Sequence, residues 1–295
     1  METELHRCAG DGDLERVTQL VEGGAHIEET DDDGMTALLV ACVRGHFEIV
    51  VYLVERSANV THSNSEGTTV LHWASLGNNV PTVKHLLEHG ARITERGING
   101  MTALLYAAGY GCLEVVQYLL SSEGCASISE TDDAGNTALL LAAATIGFVG
   151  KPSVVTWLLA HGGAQITDRD NQGSSVWSGS DPDALPYALR GAYRRDDAGE
   201  YVATEGAARL TEMLRVMVLH GGPPESLTAD LAPPLKRIVQ DGARLRARLP
   251  AYLARRRSLL DAHCPLLPPL RALVHGYEEP TTTEELWATG LGAAP

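Results

Sequence analysis

The chain has 295 residues and a mass of 31.5 kDa, enough for two compact domains or one elongated solenoid. Apolar residues make up 44% but aromatics only 5%, so the core must be built from Leu, Val, Ile and Ala, which suit closely approaching helices. A formal net charge of −15 disfavours a nucleic-acid partner, because an acidic surface repels a phosphate backbone.

The charge is unevenly placed. Residues 1–173 carry 23 Asp and Glu against 9 Lys and Arg, whereas residues 174–295 carry 15 against 14. The opening Met1-Glu-Thr-Glu-Leu-His is polar and acidic, unlike a signal peptide. No apolar run approaches the ~18 residues that would span a bilayer. The five cysteines (Cys8, Cys42, Cys112, Cys125 and Cys264) are odd in number and form no CxxC pair, which argues against a disulfide framework or a zinc site. Cys8 and Cys42 read as buried free thiols, in keeping with a reducing compartment: the cytoplasm, with the nucleus as the second choice.

In chain order, one text recurs. Gly34, Gly67 and Gly100 are 33 residues apart; Gly135 follows 35 later and Gly173 38 after that. Behind the first four glycines stand Thr36-Ala-Leu-Leu-Val-Ala, Thr69-Val-Leu-His-Trp-Ala, Thr102-Ala-Leu-Leu-Tyr-Ala and Thr137-Ala-Leu-Leu-Leu-Ala. Each Thr can cap a first helix. Ala41, Ala74, Ala107 and Ala142 let neighbouring helices approach. Gly45, Asn78 and Gly111 suit a left-handed turn. A second amphipathic phrase follows, as in Glu48-Ile-Val-Val-Tyr-Leu-Val and Glu114-Val-Val-Gln-Tyr-Leu-Leu, and Gly-Ala pairs close the units at Gly24, Gly90 and Gly163.

This text resembles the ankyrin repeat family, with Thr-x-Leu-x-x-Ala, Val-Val-x-x-Leu-Leu and Gly-Ala in register over residues 4–173. The resemblance implies an all-α solenoid of helix–turn–helix units with β-hairpin-like fingers, followed by a C-terminal helical extension. Five units are expected, near 4–33, 34–66, 67–99, 100–134 and 135–172. The first lacks the Thr start and carries Arg7 and Asp11 on its inner helix, as a polar cap would. The family's Pro is replaced by Ala37, Val70, Ala103 and Ala138, and its His survives only as His72. The fourth unit gains residues near Ser121–Gly124 and the fifth near Ile146–Pro152.

After residue 173 the pattern frays. Trp177 is expected to open a sixth inner helix, which Ser178-Gly-Ser-Asp-Pro ends early; residues 190–206 read as a charged loop insertion, and Leu210–His220 reads as an outer helix. The expected division is therefore a repeat domain over 1–222, with a degenerate sixth unit, and a helical extension or cap over 223–295. In the extension, Pro233-Pro234 precede a helical stretch over about 235–262 rich in Arg; its charges form a solvated face, dock on the acidic repeats, or meet RNA or lipid. Shorter helices are expected at Leu270–His275 and after Thr282.

No Walker loop, GxSxG elbow, HExxH or dinucleotide fingerprint occurs, so the chain reads as a non-enzyme and no cofactor is implied. His46, His89 and His161 read as structural. The resemblance places the binding surface on the inner helices and fingers. Its groove would hold Arg44, Trp73, Leu76, Tyr106 and Tyr110, among which Trp, Tyr and Arg are the types that dominate interface energetics. Asp31, Asp32, Asp33, Asp132 and Asp133 would form an acidic finger rim, beside Glu28, Glu29, Glu130, Asp168 and Asp170. That rim reads first as a solvated face and next as a means of attracting a basic protein or peptide; calcium is a further alternative, but EF-hand spacing is absent. The expected function is a scaffold, adaptor or inhibitor that binds another protein. The alternatives are an adaptor recruiting a machine such as a ubiquitin ligase through residues 223–295, and, more remotely, an enzyme using Asp181, Asp183 and His220.

Overall fold

The computed structural model describes residues 3–143, 152–176, 193–195, 201–203, 214, 215, 217, 234–244 and 247. They fall into two compact units, Met1–Ala144 with His161–Val176, and Thr145–Ala160 with Trp177–Pro295.

In the first unit the helices run α1 (Glu4–Asp11), α2 (Leu14–Glu22), α3 (Ala37–Arg44), α4 (Phe47–Glu55), α5 (Val70–Leu76), α6 (Val80–Glu88), α7 (Ala103–Tyr110), α8 (Leu113–Leu119) and α9 (Ala138–Ala143). The inner helices α1, α3, α5, α7 and α9 pack each on the next, the outer helices α2, α4, α6 and α8 do the same, and each inner helix up to α7 packs on its own outer partner. Helices of six to nine residues are too short to hold alone; burial against neighbours sustains them. Leu38, Leu39, Leu71, Leu104, Leu105 and Leu139 are fully buried, each worth about 1.5–3 kcal/mol. Ala41, Ala74, Ala107 and Ala142 are wholly covered, and their small side chains set the close approach.

The caps follow the expected register. The side chains of Thr36, Thr102 and Thr137 accept from the backbone N–H of Leu39, Leu105 and Leu140 at 3.4 Å. The first unit differs from expectation. It does start on a Thr, because Thr3 caps α1 and His6 Nδ1 returns to the Thr3 backbone, the same device that Thr69 and His72 build in α5. Met1 stands two residues before it, where Gly34 stands before Thr36, so no glycine marks the register there. The C-terminal turns of the inner helices place Gly12, Gly45, Asn78 and Gly111 in the left-handed region at φ 80°, 76°, 50° and 84°.

The outer-helix N-caps tie one repeat to the previous one. Across the repeat junctions His46 Nε2 meets Gly10 O at 3.0 Å, Asn79 Nδ2 donates to Gly45 O at 3.2 Å, and Cys112 Sγ donates to Leu76 O at 3.4 Å. Cys8, Cys42 and Cys112 are buried free thiols, whereas Cys125 is exposed.

In the second unit, α10 (Pro152–Ala160) buries Val154, Val155, Leu158 and Leu159. Strands β1 (Tyr193–Arg195) and β2 (Tyr201–Ala203) pair antiparallel, with Arg194 opposite Val202. A short hairpin thus stands where a plain loop insertion was expected. Its signal was Tyr and Val flanking a Gly-containing segment, masked by the charges around it. Residues 214, 215 and 217 are helical, with Leu214 and Met217 buried. Residues 234–244 are helical, with Leu235 buried and Arg237 and Arg244 exposed. The expected sixth inner helix at Trp177, the insertion at 146–151, the Arg-rich segment beyond 247, the later short helices, and Asp181, Asp183, His220 and Cys264 lie outside the described residues.

Candidate functional site

The inner helices present their side chains in a fixed register, because residues four apart share one helix face. Four residues after each capping Thr stand Arg7, Val40, Trp73, Tyr106 and Leu141; eight after it stand Asp11, Arg44, Gly77 and Tyr110. Arg7 and Asp11 are both exposed and pair at 3.4 Å. Arg44 is exposed and has no ion pair among the described residues, while Trp73 and Leu76 are half-buried. The Trp73 Nε1 atom is buried without a hydrogen-bond partner.

The two tyrosines part company. Tyr110 is 59% exposed and Tyr106 only 8%. Their rings lie nearly parallel, 14° apart in plane with centroids at 6.4 Å. Tyr106 also packs on His72 at 5.3 Å, and its hydroxyl lies 3.4 Å from Thr68 Oγ1 in the preceding finger. Burial pushes the Tyr106 phenol above its usual pKa, with the Thr68 contact opposing. Of the five groove residues expected from the sequence, the structure therefore leaves Arg44 and Tyr110 open and Trp73 and Leu76 partly open, and it seats Tyr106 beneath Tyr110 as backing.

The fingers explain where the acids go. In four of the five, one Asx oxygen closes the turn from inside. Asp31 Oδ1 accepts from Asp33 and Met35 N–H, Asn64 Oδ1 from Glu66 and Thr68, Asp132 Oδ1 from Ala134 and Asn136, and Asp170 Oδ1 from Gln172 and Ser174. The third finger has Gly97 at that place. Each turn ends on a glycine with φ between 71° and 83°, at Gly34, Gly67, Gly100, Gly135 and Gly173, which is why a glycine recurs there. Neighbouring fingers are laced by backbone bonds, Ser65 N to Asp33 O, Asp133 N to Asn99 O and Asn171 N to Ala134 O.

The rim residues thus divide. Asp132 is 9% exposed and Asp31 half-buried, both committed to their turns. Asp32, Asp33 and Asp133 stand exposed, Asp133 within 3.4 Å of Arg96. Glu28 accepts from Asn59 N–H, and Glu130 from Ser127 N–H and the Thr102 hydroxyl. Glu66, exposed on the second finger and close enough to raise the Tyr106 phenol, was missed; its place ahead of Gly67 matches that of Asp33 ahead of Gly34. Among the described residues, no three His, Cys, Asp or Glu converge on a possible metal position. Nor is any helix there long and apolar enough to cross a membrane.

His72 is the most perturbed histidine among the described residues. The Thr69 backbone N–H donates to its Nδ1 at 3.0 Å, so the ring proton sits on Nε2 and is donated to Glu95 O at 3.1 Å. Burial pulls its pKa down to about 4, with the Glu95 bond opposing. His72 is a strut between the α5 cap and the next finger.

Stacked helix pairs, laced fingers and a constant register of turn glycines define a helical-repeat solenoid, a class whose exposed inner face is fixed by its neighbours. The family model for ankyrin repeats (3 copies) matches residues 5–97 and 92–170, over half of the chain, and the chain belongs to the ankyrin repeat family. Domains of this family are generally protein–protein interaction modules and typically non-catalytic. No curated protein matches the chain significantly.

Proposed function

We propose that this protein is a non-catalytic interaction module, a scaffold, adaptor or inhibitor, working inside the cell on a basic protein or peptide. The partner lies along the inner-helix face, over Tyr110, Trp73, Leu76 and Arg44, with Asp32, Asp33 and Asp133 at its edge. In this reading residues 1–222 are the repeat domain and residues 223–295 an extension beyond it. The observation that carries it is Tyr110, an aromatic ring 59% exposed on the inner-helix face. Exposed aromatics held by rigid helices are the usual anchors of protein interfaces. The charge of residues 1–173, 23 acidic against 9 basic, supplies steering for a basic partner.

The test is affinity purification with mass spectrometry on the full chain, comparing wild type with Trp73→Ala/Tyr110→Ala. Tyr106 is left intact, because its burial makes it a stability residue. A partner lost from the variant supports the inner-helix face. An unchanged partner set overturns it and moves attention to residues 223–295.

A further inference from the structure

We propose that Tyr110 is a platform for an arginine side chain of the partner, with the guanidinium plane lying on the open face of the ring. The inference rests on the inner-helix face being the binding surface and adds the chemistry that is read there.

Leu14, Ile98 and Tyr110 are the exposed large apolar residues among those described, at 36%, 38% and 59%, and Tyr110 is the one with a flat π face. Among the described residues its one ring contact is with Tyr106. The ring is also held. It stacks on Tyr106, which is fixed in turn by burial, by His72 and by Thr68. Little side-chain freedom is left to lose on binding, which favours affinity.

The surroundings select a cation. Residues 1–173 carry 23 Asp and Glu against 9 Lys and Arg, so the repeats as a whole attract a cation. The cations of this face, Arg7 and Arg44, sit on α1 and α3. At the usual 8–10 Å between packed helices, Arg44 is roughly 20 Å from Tyr110. That exceeds the Debye length of about 8 Å at physiological salt, so neither repels a guest on Tyr110. Arginine suits the ring better than lysine. Its guanidinium is planar, weakly hydrated and able to stack while its edge N–H groups reach a carboxylate.

The experiment uses the full chain and two fluorescein-labelled peptides of equal length and charge, one alternating Arg and Gly, the other Lys and Gly. Fluorescence anisotropy titrations give the affinities. Wild type should bind the Arg probe about three- to fivefold more tightly than the Lys probe. Tyr110→Phe should keep that preference. Tyr110→Ala and Tyr110→Leu should abolish it, the Arg probe losing more than the Lys probe, because the ring attracts both cations but stacks only the planar guanidinium. Equal binding of the two probes by wild type, binding of neither, or a preference that survives Tyr110→Leu overturns the proposal. If the preference is absent while Trp73→Ala/Tyr110→Ala still loses its cellular partner, the face remains the binding surface and only the arginine reading falls.

Discussion

Replacing His72 with Leu, the residue at the same position in three other repeats (Leu39, Leu105 and Leu140), tests the electrostatics of the stack directly. In the folded chain His72 is neutral, because a second proton would sit on Nδ1, facing the Thr69 N–H and inside a nearly closed site. Its pKa is about 4 folded, against 6.5 for an ordinary histidine. Between those values the unfolded chain binds a proton that the folded chain refuses. The stabilisation is therefore complete above pH 6.5 and is lost as pH falls towards 4. Each pKa unit is 1.36 kcal/mol, so the loss over the window is about 3 kcal/mol, a large share of the 5–15 kcal/mol typical of a folded domain. Nearby groups modify this little: Glu95 contributes a carbonyl, Thr69 an amide and hydroxyl, and Tyr106 a neutral ring. Urea midpoints measured from pH 4 to pH 8 give the readout. At pH 7 the variant should be weaker by about 1–3 kcal/mol, since Thr69 N–H and Glu95 C=O lose their partner. Its stability should then decline less with acid, and the gap to wild type should close by about pH 4.5. A variant with the same acid slope as wild type would refute the assignment.

Four further outcomes follow from the same geometry. Tyr106→Ala should cost about 3–5 kcal/mol in chemical denaturation, as the loss of a buried ring does, whereas Tyr110→Ala should cost about 1 kcal/mol or less; equal costs would undo the division between backing and surface. Thr82 is wholly buried with an unpartnered Oγ1, at the position held by Ile49, Val115 and Val154 in other repeats, so Thr82→Val should stabilise by about 1 kcal/mol, read as a rise in urea midpoint. Ser57 has φ 68° where Gly24, Gly90 and Gly163 stand elsewhere, so Ser57→Gly should stabilise by about 0.5–1 kcal/mol; a fall in thermal midpoint would contradict the strain argument. Cys125 is exposed, while burial raises the Cys42 thiol pKa and hides it. Maleimide labelling with peptide mapping should modify Cys125 in the native chain and Cys42 only after unfolding.

Much of the architecture was legible before any coordinates. The recurrence of Gly34, Gly67, Gly100, Gly135 and Gly173 marks turns that need a left-handed backbone, and all five adopt it. The capping Thr residues, the small Ala positions and the Gly45–Asn78–Gly111 register were readable for the same reason. Each is a local requirement, met by the residue itself and its neighbours along the chain. Period 33 then repeats that local solution, so even the fold class follows from text.

Accessibility was not legible. Tyr106 and Tyr110 are four residues apart on one helix and look alike in sequence. Yet Thr68 and His72, over thirty residues earlier, close over the first, while the second stands 59% exposed. The same holds for the acids. Asp31 and Asp132 spend an oxygen on turn amides, while Asp32, Asp33 and Asp133 face solvent. The amino-acid sequence alone determined the repeat, its turns and its core, because those depend on backbone conformation and short-range pattern. Only the tertiary structure decided which side chains of the inner face are open to a partner, because burial is set by residues that are distant in sequence and adjacent in the stack.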